Sequence, residues 1–391
     1  MVRHLFKMIW NRKKQNFLMI TEIFVSFLVL FAVFTLIVYN VKNYMRPMGF
    51  EYENVWNITF SLEAGTSDSA KNYHERVSNF LTAMPEVDAV SFCSNNVPFS
   101  NSNYNTGLTH NKKTTSSNFY VTENDYQKVL QVTVLEGRWY GKEDNGAKYK
   151  PIVINETLRK EMFGNAQVVG KVLSSDFDGI SKKIVGVVRD FKDKGDFYDN
   201  DRCFFEQAGA DGIGALKNLL VKFKNPQGAA FEAKLHRQLS NLVKDANIEI
   251  AYLSALRESK NKMTIIPMII LIVVCSFLVF NVSLGLFGVL WYNINKRKSE
   301  IGLRRAVGAT APSISKQFIA EAMVLTSLAL LLGCFFAVQF PILNVFDVAS
   351  GVYLIAILLT VLFIYALVLF CAYYPGKQAA KIYPAVALHE D

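Results

Sequence analysis

The sequence is poor in charged residues. Asp, Glu, Lys and Arg make up 19% of its 391 residues, while 51% are hydrophobic. Soluble domains average about 25% charged residues, so the composition is not that of an ordinary soluble globule. An apolar content this high also excludes an intrinsically disordered chain.

Histidine and cysteine are scarce and scattered. The five His residues show no H-x-x-x-H pairing and the five Cys residues form no C-x-x-C motif, so the usual sequence patterns of a zinc site are absent. Cys93 and Cys203 lie outside the long apolar runs, where an oxidising compartment would permit a disulfide between them. The sequence does not decide whether their Cα atoms are close enough to form one.

Catalytic motifs are missing as well. No G-x-S-x-G nucleophile elbow occurs. Residues 164–171 (GNAQVVGK) resemble a phosphate-binding loop only superficially, because one residue too many separates the glycines and Val172 replaces the Mg²⁺-binding Ser or Thr. Residues 190–201 hold five Asp without the spacing of an EF-hand, and we interpret them as a solvated loop. We predict a non-catalytic chain with no cofactor.

Four long apolar runs are present instead. They cover residues 17–39, 265–292, 318–340 and 352–374. About 20 apolar residues in helical conformation cross the hydrocarbon core of a bilayer. We therefore predict an integral membrane protein with four transmembrane helices, the second of them long enough to continue outward as a stalk.

The distribution of charge predicts the orientation. Residues 40–262 hold 29 basic and 27 acidic side chains, a net of +2, and the rest hold 13 and 6, which supplies the other +7 of the total of +9. These excess basic residues flank the first apolar run and lie in the loop 293–316. By the positive-inside rule this loop, the tail 375–391 and the N-terminus are cytoplasmic, and 40–262 lies outside the cytoplasm. No basic patch interleaved with aromatic residues indicates nucleic acid.

Two further features adjoin the membrane. Residues 1–16 carry apolar side chains roughly on one helical face, which predicts an amphipathic helix on membrane lipids; plain topogenic charge is the alternative. Glu22 and Glu321 lie inside apolar runs, and an acid within a membrane suggests a functional site. Each is about one helical turn from the cytoplasmic end, so we expect both carboxylates to reach the interface by snorkelling.

The region 40–262 has the pattern of an α+β domain. Strand–helix–strand patterns occur over 55–92 and again over 219–252, and short strand patterns fill an insertion of about 117–205. These patterns predict a split α/β unit with a strand-rich insertion. Residues 94–117 are rich in Asn, Ser and Thr and are predicted to form a long loop.

The most specific motifs follow the second apolar run and the fourth. Residues 296–310 (KRKSEIGLRRAVGAT) resemble the signature of the FtsX/MacB-like ABC transporter permeases, and residues 374–388 (YPGKQAAKIYPAVAL) resemble the closing motif of that family. Gly376 stands where the family usually has Ala. Residues 135–191 resemble the external domain of the family, in which a Sabre-type unit is inserted into a Porter-type unit. The order of one span, a large external domain and three spans is that of a four-span member.

The resemblance implies a mechanism and its residues. Such permeases act as dimers, each copy bound to a cytoplasmic ATPase, with the loop after the second span docking as a coupling helix. Arg304 and Arg305 would then pair with carboxylates of the ATPase, and Glu300 with a basic group. The residues assigned in this way are Glu300, Ile301, Gly302, Leu303, Arg304, Arg305 and Gly308 in the coupling loop, and Pro375, Ala379, Ala380, Pro384 and Leu388 in the tail motif.

The sequence therefore predicts a permease subunit of the bacterial inner membrane. It would couple ATP hydrolysis by a separate ATPase to movement of its periplasmic domain, for efflux or extraction of a drug, a peptide or a lipoprotein. The alternatives are activation of an external cell-wall hydrolase without transport, and a membrane-anchored sensor. The substrate, a homodimer or a heterodimer with a related permease, the identity of the ATPase and a periplasmic adaptor or effector stay open.

Overall fold

The computed structural model describes residues 13–62, 67–176, 178–209, 212, 216–244 and 246–379. The chain divides into two compact units, a helical unit within 1–42 and 266–391 and a mixed unit of residues 43–265. Most of the predicted amphipathic helix 1–16 lies outside the described residues, and so do Ala380, Pro384 and Leu388 of the tail motif.

The described helices are, in chain order, α1 Lys13–Tyr44, α2 Ser67–Thr82, α3 Tyr126–Leu130, α4 Glu156–Phe163, α5 Ala229–Leu242, α6 Leu253–Lys296, α7 Lys298–Ala306, α8 Ala311–Ala337, α9 Gln339–Ile342 and α10 Ser350–Ala379. The described strands are β1 Val55–Leu62, β2 Val87–Cys93, β3 Asn105–His110, β4 Lys113–Thr122, β5 Val134–Gly137, β6 Lys150–Asn155, β7 Val172–Ser175, β8 Ser181–Val188, β9 Cys203–Gln207, β10 Asn218–Phe223 and β11 Ala246–Tyr252.

Within the described residues, four helical segments are long and apolar enough to cross a membrane. They are Phe17–Tyr44 of α1, the whole of α6, Ala311–Ile342 of α8 and α9, and α10. Helix α6 has 44 residues, so it extends well beyond the apolar run at 265–292 that marks it in the sequence. The sequence-based prediction of four transmembrane helices is confirmed.

Small residues bring the membrane helices close together. Gly333 of α8 lies directly against the ring of Phe27 in α1, which is fully buried, and a Cβ atom at position 333 would overlap that ring. Gly285 of α6 lies in the same way against the carboxylate of Glu22 in α1. The Glu22 side chain is half-buried and packs on a neighbouring helix, a placement the snorkelling interpretation did not include.

The mixed unit contains the predicted split α/β fold. Strands β11, β1, β10 and β2 are neighbours in that order and all pair antiparallel. Their connections through α2 and α5 form two β-α-β units, which is the arrangement of a split β-α-β sandwich. The helices cover one face of these strands, because Val77 and Leu81 of α2 and Leu235 and Leu239 of α5 share one core with the strand residues.

The insertion extends the same sheet. After β2 the strand order continues as β4, β3, β7, β8, β6 and β9, with β5 on β8 and β9 also paired parallel to β4. The predicted long loop at 94–117 is wrong, because β3 and the start of β4 form a hairpin there. Its two-residue turn, Asn111 and Lys112, has positive φ at both positions (47° and 66°). These are the angles of the tight turn that suits the twist of a β-hairpin, and Asn tolerates them well.

Both external cysteines are buried and free. Cys93 and Cys203 belong to one hydrophobic core together with Tyr126 and Phe205. No disulfide joins them in the described structure, and burial raises the pKa of both thiols. The two thiols therefore act as small apolar groups of the core.

We predict that Gly333→Ala destabilises the helical unit. A methyl group at this position overlaps the ring of Phe27, and overpacking of this kind typically costs about 1–3 kcal/mol. The free energy of unfolding of the full chain in mixed detergent micelles measures the effect. Gly288→Ala in α6 is the matched control, because nothing lies within 4 Å of a Cβ built there. Equal stability of the two variants would contradict the close contact.

Candidate functional site

The segment that carries the first motif forms a separate short helix, α7. It is separated from α6 by Arg297, whose backbone (φ −106°, ψ 16°) departs from helical geometry. The helix ends at Ala306, and Gly308 follows with φ +104° and donates its N–H to the carbonyl oxygen of Arg305 at 3.1 Å. A glycine in this left-handed conformation is the usual residue just past a helix end. Pro312 then lies in the first turn of α8, where proline fits the helix.

The inner face of α7 is anchored by a small hydrophobic core. Ile301 and Gly302 are buried. Ile301 packs with Ile294 of α6 and with Phe318 of α8. The same core contains Ala379, the last residue of α10 and a residue of the tail motif. The ends of three membrane helices therefore hold α7 in place.

A buried arginine ties the polar side chains of this region together. Arg297 is 6% exposed, and its Nη1 donates to Oε2 of Glu321 in α8 at 2.6 Å. Its Nε donates to Oε2 of Glu300 in α7 at 3.1 Å. The guanidinium also lies over the ring of Phe318, 4.8 Å from the centroid. One cation thus links the start of α7 to α8.

The network closes through Arg304. Its Nη2 donates to Oε1 of Glu300 at 2.6 Å, and its Nη1 donates to Oε1 of Gln317 at 2.7 Å. Nε2 of Gln317 in turn donates to Oε1 of Glu321 at 3.0 Å. These five residues, Arg297, Glu300, Arg304, Gln317 and Glu321, are called the junction cluster below.

The junction cluster holds its central arginine in the charged state. Burial lowers the pKa of Arg297, but its hydrogen bonds to Glu321 and Glu300 raise it more, so the pKa lies above its ordinary value. The snorkelling interpretation is wrong for Glu321, whose carboxylate binds Arg297 within the chain. The sequence reasoning also missed Arg297 and Gln317. The spacing of three residues between Arg297 and Glu300 was the sequence signal that could have indicated their ion pair.

The outer face of α7 carries exposed apolar side chains. Leu303 is 56% exposed, and Val307, which directly follows α7 and donates its N–H to the carbonyl oxygen of Leu303 at 3.0 Å, is 82% exposed. Residues four apart lie on the same side of a helix. Arg305 is half-exposed and makes no ion pair with any residue that the structure describes. The helix therefore presents an apolar surface beside a cation, while Glu300 and Arg304 are bound to each other.

The described part of the tail motif packs into the helical unit. Pro375, Gly376 and Ala379 are buried in the last turns of α10. A Cβ on Gly376 would lie 3.1 Å from Oγ of Ser315 in α8. The glycine that replaces the family's usual alanine therefore allows a close approach of α10 to α8.

A second polar cluster lies in the mixed unit, in the Asp-rich loop of residues 190–201. Lys192 is 2% exposed and its Nζ donates to the carbonyl oxygens of Asn43 at 2.8 Å and Asp196 at 2.7 Å. Asn43 lies in the last turn of α1, and its side chain donates to the carbonyl oxygen of Phe197 at 3.1 Å. The loop thus binds the end of α1.

The same loop binds the start of α6. Asp196 is 5% exposed and accepts from Nε of Arg257 at 3.0 Å and from its Nη2 at 2.7 Å. Asn261, one turn further along α6, donates to Asp196 at 2.7 Å and accepts from its backbone N–H at 3.0 Å. The prediction of a solvated loop is wrong, because Lys192 and Asp196 are buried where two helices meet the loop. We call Asn43, Lys192, Asp196, Arg257 and Asn261 the base cluster.

No group of three or more His, Cys, Asp or Glu residues that could hold a metal ion occurs in the part of the chain that the structure describes. The polar groups of both clusters instead bind one another. Their arrangement is suited to holding helices in fixed positions rather than to bond-breaking chemistry.

Two family models match the chain. Residues 17–237 match the MacB-like periplasmic core domain, and residues 266–384 match the FtsX-like permease C-terminal model. The first covers more than half of the chain, and the second contains the whole of α7 and most of the tail motif.

Named relatives support the same assignment. The uncharacterized ABC transporter permease YvrN of Bacillus subtilis is 24% identical over 294 residues, 70% of each chain. The macrolide export ATP-binding/permease protein MacB of Wolinella succinogenes is 25% identical over 329 residues, and the pyoverdine export ATP-binding/permease protein PvdT of Pseudomonas aeruginosa is 26% identical over 281. The alignments cover 80% and 68% of this chain but only 50% and 41% of those relatives.

Among solved structures, the periplasmic region of MacB from Actinobacillus actinomycetemcomitans is similar at 18% identity and a TM-score of 0.39. That match covers 56% of this chain and 97% of the other. The extracellular domain of the transporter YknZ matches at 12% identity and a TM-score of 0.34, over 50% of this chain and all of the other.

We predict unequal coupling energies within the junction cluster. A double-mutant cycle with Arg297→Met and Glu321→Gln gives a coupling of roughly 1–3 kcal/mol, because Arg297 is buried. The Glu300–Arg304 pair gives less than ~1 kcal/mol, because both side chains are about a third exposed. Unfolding of the full chain in mixed micelles measures both. Equal couplings, or a larger value for Glu300–Arg304, would contradict the central place of Arg297.

We also predict a pH dependence at Lys192. Burial lowers its pKa to about 8, with Asp196 opposing and Arg46 and Arg257 adding to the shift. In the unfolded chain a lysine titrates near pH ~10.4. Between these values the unfolded chain binds more protons, so the contribution of Lys192 to stability rises with pH; below pH ~8 both states are protonated and it is constant.

The measurement is the difference in unfolding free energy between the wild-type chain and Lys192→Met at several pH values from 7 to 10. We expect a constant difference up to about pH 8 and then a rise in favour of the wild type. A difference that is flat over the whole range, or that falls with pH, would show that Lys192 is not buried in this way.

Proposed function

The chain belongs to the FtsX-like ABC transporter permeases that carry a MacB-like periplasmic core domain, and from this membership we propose that it transmits the work of an ATPase to its external domain. The ATPase is a separate cytoplasmic partner, and this chain is the non-catalytic subunit. The observation that carries the proposal is the exposed apolar surface of α7, on a helix that the junction cluster fixes to α6 and α8.

The docking surface consists of the outer face of α7. Leu303 and Val307 expose apolar surface that a solvated loop has no reason to carry, and contacts of this kind are typical of the core of an interface. Arg305 supplies a cation for a carboxylate of the ATPase. Arg304 and Glu300 act differently from the sequence-based expectation, since we assign them to holding α7 rather than to touching the partner.

Helix α6 is the element that carries the motion. It is one helix of 44 residues, with Pro267 inside it. The junction cluster follows its last residue, and Arg257 and Asn261 of the base cluster lie in its first turns. A displacement of α7 by the ATPase is therefore passed along one continuous helix to side chains that bind the external domain.

The relatives suggest the kind of work. Their names describe export of macrolides and of pyoverdine. For this chain we propose efflux or extraction of a drug, a peptide or a lipoprotein on the periplasmic side of the bacterial inner membrane. Both termini and α7 are cytoplasmic in this proposal, and the chain acts as a dimer with itself or a related permease, with a periplasmic adaptor or effector as a further partner.

The test is a single charge on the docking surface. We predict that Val307→Asp lowers the Mg²⁺-ATP hydrolysis that co-purifies with the tagged chain from its native membranes by at least about tenfold, because a carboxylate must then be desolvated in an apolar contact. Phe346→Asp is the matched control. Phe346 is 82% exposed, as Val307 is, but lies in the loop between the third and fourth spans.

Loss of ATPase from Val307→Asp alone supports the coupling helix. If neither variant loses it, α7 is not the docking surface. If the wild-type chain carries no ATPase at all, the membrane-anchored sensor is the better account. The unfolding free energy of both variants, measured in the same micelles, shows that the substitutions act on binding rather than on folding.

A further inference from the structure

A pocket of about 690 Å³ opens on the sheet of the mixed unit, on the side away from Tyr120. Its floor is made by neighbouring positions of two parallel strands. Phe119 and Val121 of β4 lie beside Phe204 and Glu206 of β9 in register. The volume falls in the range of sites for drug-sized ligands, about 300–1,000 Å³. We call this cavity the sheet pocket.

One side of the sheet pocket is aromatic. Tyr104, Phe119 and Phe204 form a stack, with centroids 5.8 Å apart in each step and interplanar angles of 29° and 20°. Tyr104 is 36% exposed, so the stack leads from the buried Phe204 to the mouth. Phe204 is fully buried and Phe119 nearly so, which leaves the ring of Tyr104 as the accessible aromatic surface at the end of the stack.

The other side is a chain of four charges. Lys150 of β6 and Lys182 of β8 occupy partner positions in the parallel register. Both donate to the carboxylate of Glu206, which is 5% exposed, and Lys182 also donates to Asp178 at 2.8 Å. Buried ion pairs add little net stability, because desolvation offsets their attraction. These charged side chains line the cavity, where a few polar groups can orient a ligand.

The four charged side chains differ in how much of their hydrogen-bonding capacity is used. Each ammonium group has three N–H donors. Lys182, 2% exposed, uses its donors on Glu206 and Asp178, whereas Lys150, 28% exposed, bonds only Glu206 among the described residues. Lys150 therefore has unused donors at the pocket, while both oxygens of Glu206 already accept from ammonium groups.

We propose that the sheet pocket binds an organic carboxylate with a flat apolar body. The carboxylate meets the free donors of Lys150, and the apolar body packs on the exposed ring of Tyr104. The amide and hydroxyl side chains at the rim, among them Asn95 and Asn105, add neutral hydrogen-bonding groups. The inference concerns binding alone and does not depend on the proposed coupling to an ATPase.

The experiment uses the full chain in lipid nanodiscs and a pair of probes that differ in one charge. Dansyl-phenylalanine carries the carboxylate and dansyl-phenylalanine amide does not, and fluorescence anisotropy follows the binding of each. We expect the acid to bind at least about tenfold more tightly than the amide, the usual size of a charge-assisted hydrogen bond in a shielded site. Lys150→Met removes this preference and Lys150→Arg keeps it.

Lys183→Met is the matched control. Lys183 directly follows Lys182 in β8 and is exposed on the opposite face of the strand. We expect this variant to keep the wild-type preference for the acid over the amide. Tyr104→Ala weakens the binding of both probes without changing their ratio. Competition by unlabelled N-acetyl-phenylalanine or by the peptide Ala-Ala-Phe then distinguishes a free acid from a peptide C-terminus, and competition by either supports the site.

Three outcomes would overturn the inference. They are the absence of saturable binding of the acid, equal affinity for acid and amide in the wild type, and a preference that survives in Lys150→Met. Failure of both competitors to displace the acid would count against it as well. Each result is independent of ATPase association, so it leaves the proposed function untouched.

Discussion

The arrangement of the helical unit depends on how Arg297 is held. This side chain stands at the break between α6 and α7, is almost fully buried, and donates to carboxylates from α7 and α8. A buried guanidinium without such partners would be costly, so the two helices must keep Glu300 and Glu321 in place. Because Ile301 packs inward at the same time, Leu303 and Val307 are forced to face outward. The ion pairs and the packing of Ile301 together fix which face of α7 is exposed.

The junction cluster and the base cluster have the same structural role at opposite ends of α6. Each uses buried charges to connect an end of α6 to a neighbouring element: Arg297 lies directly after its last residue, and Asp196 lies against its first turns. Neither cluster resembles a catalytic centre, and each member bonds another residue of the chain, while Oδ1 of Asn43 is buried without a hydrogen-bond partner among the described residues. Buried polar networks whose members are all paired specify one arrangement of the elements that they join. A helix that transmits a displacement from one of its ends to the other needs such a fixed arrangement at both ends.

The sequence was sufficient to predict most helices and strands, but not the buried partners of the charged side chains. Apolar runs predicted the four membrane helices, and alternating patterns predicted most of the mixed unit, because both depend on local periodicity. The hairpin at Asn111 was missed, since its turn signal is an Asn-Lys pair rather than Asn-Gly. Lys192 and Glu321 were assigned to solvent and interface, because a charge that finds a buried partner far along the chain leaves no local trace.

We propose that ATP-driven motion enters at α7 and arrives at the Asp-rich loop. The decisive measurement is backbone hydrogen exchange of residues 190–201 on the purified complex, with ADP and with ATP plus vanadate. We expect a nucleotide-dependent change in exchange that is lost in Val307→Asp and retained in Phe346→Asp. Exchange that is the same with both nucleotides, or a change that persists in Val307→Asp, would contradict it.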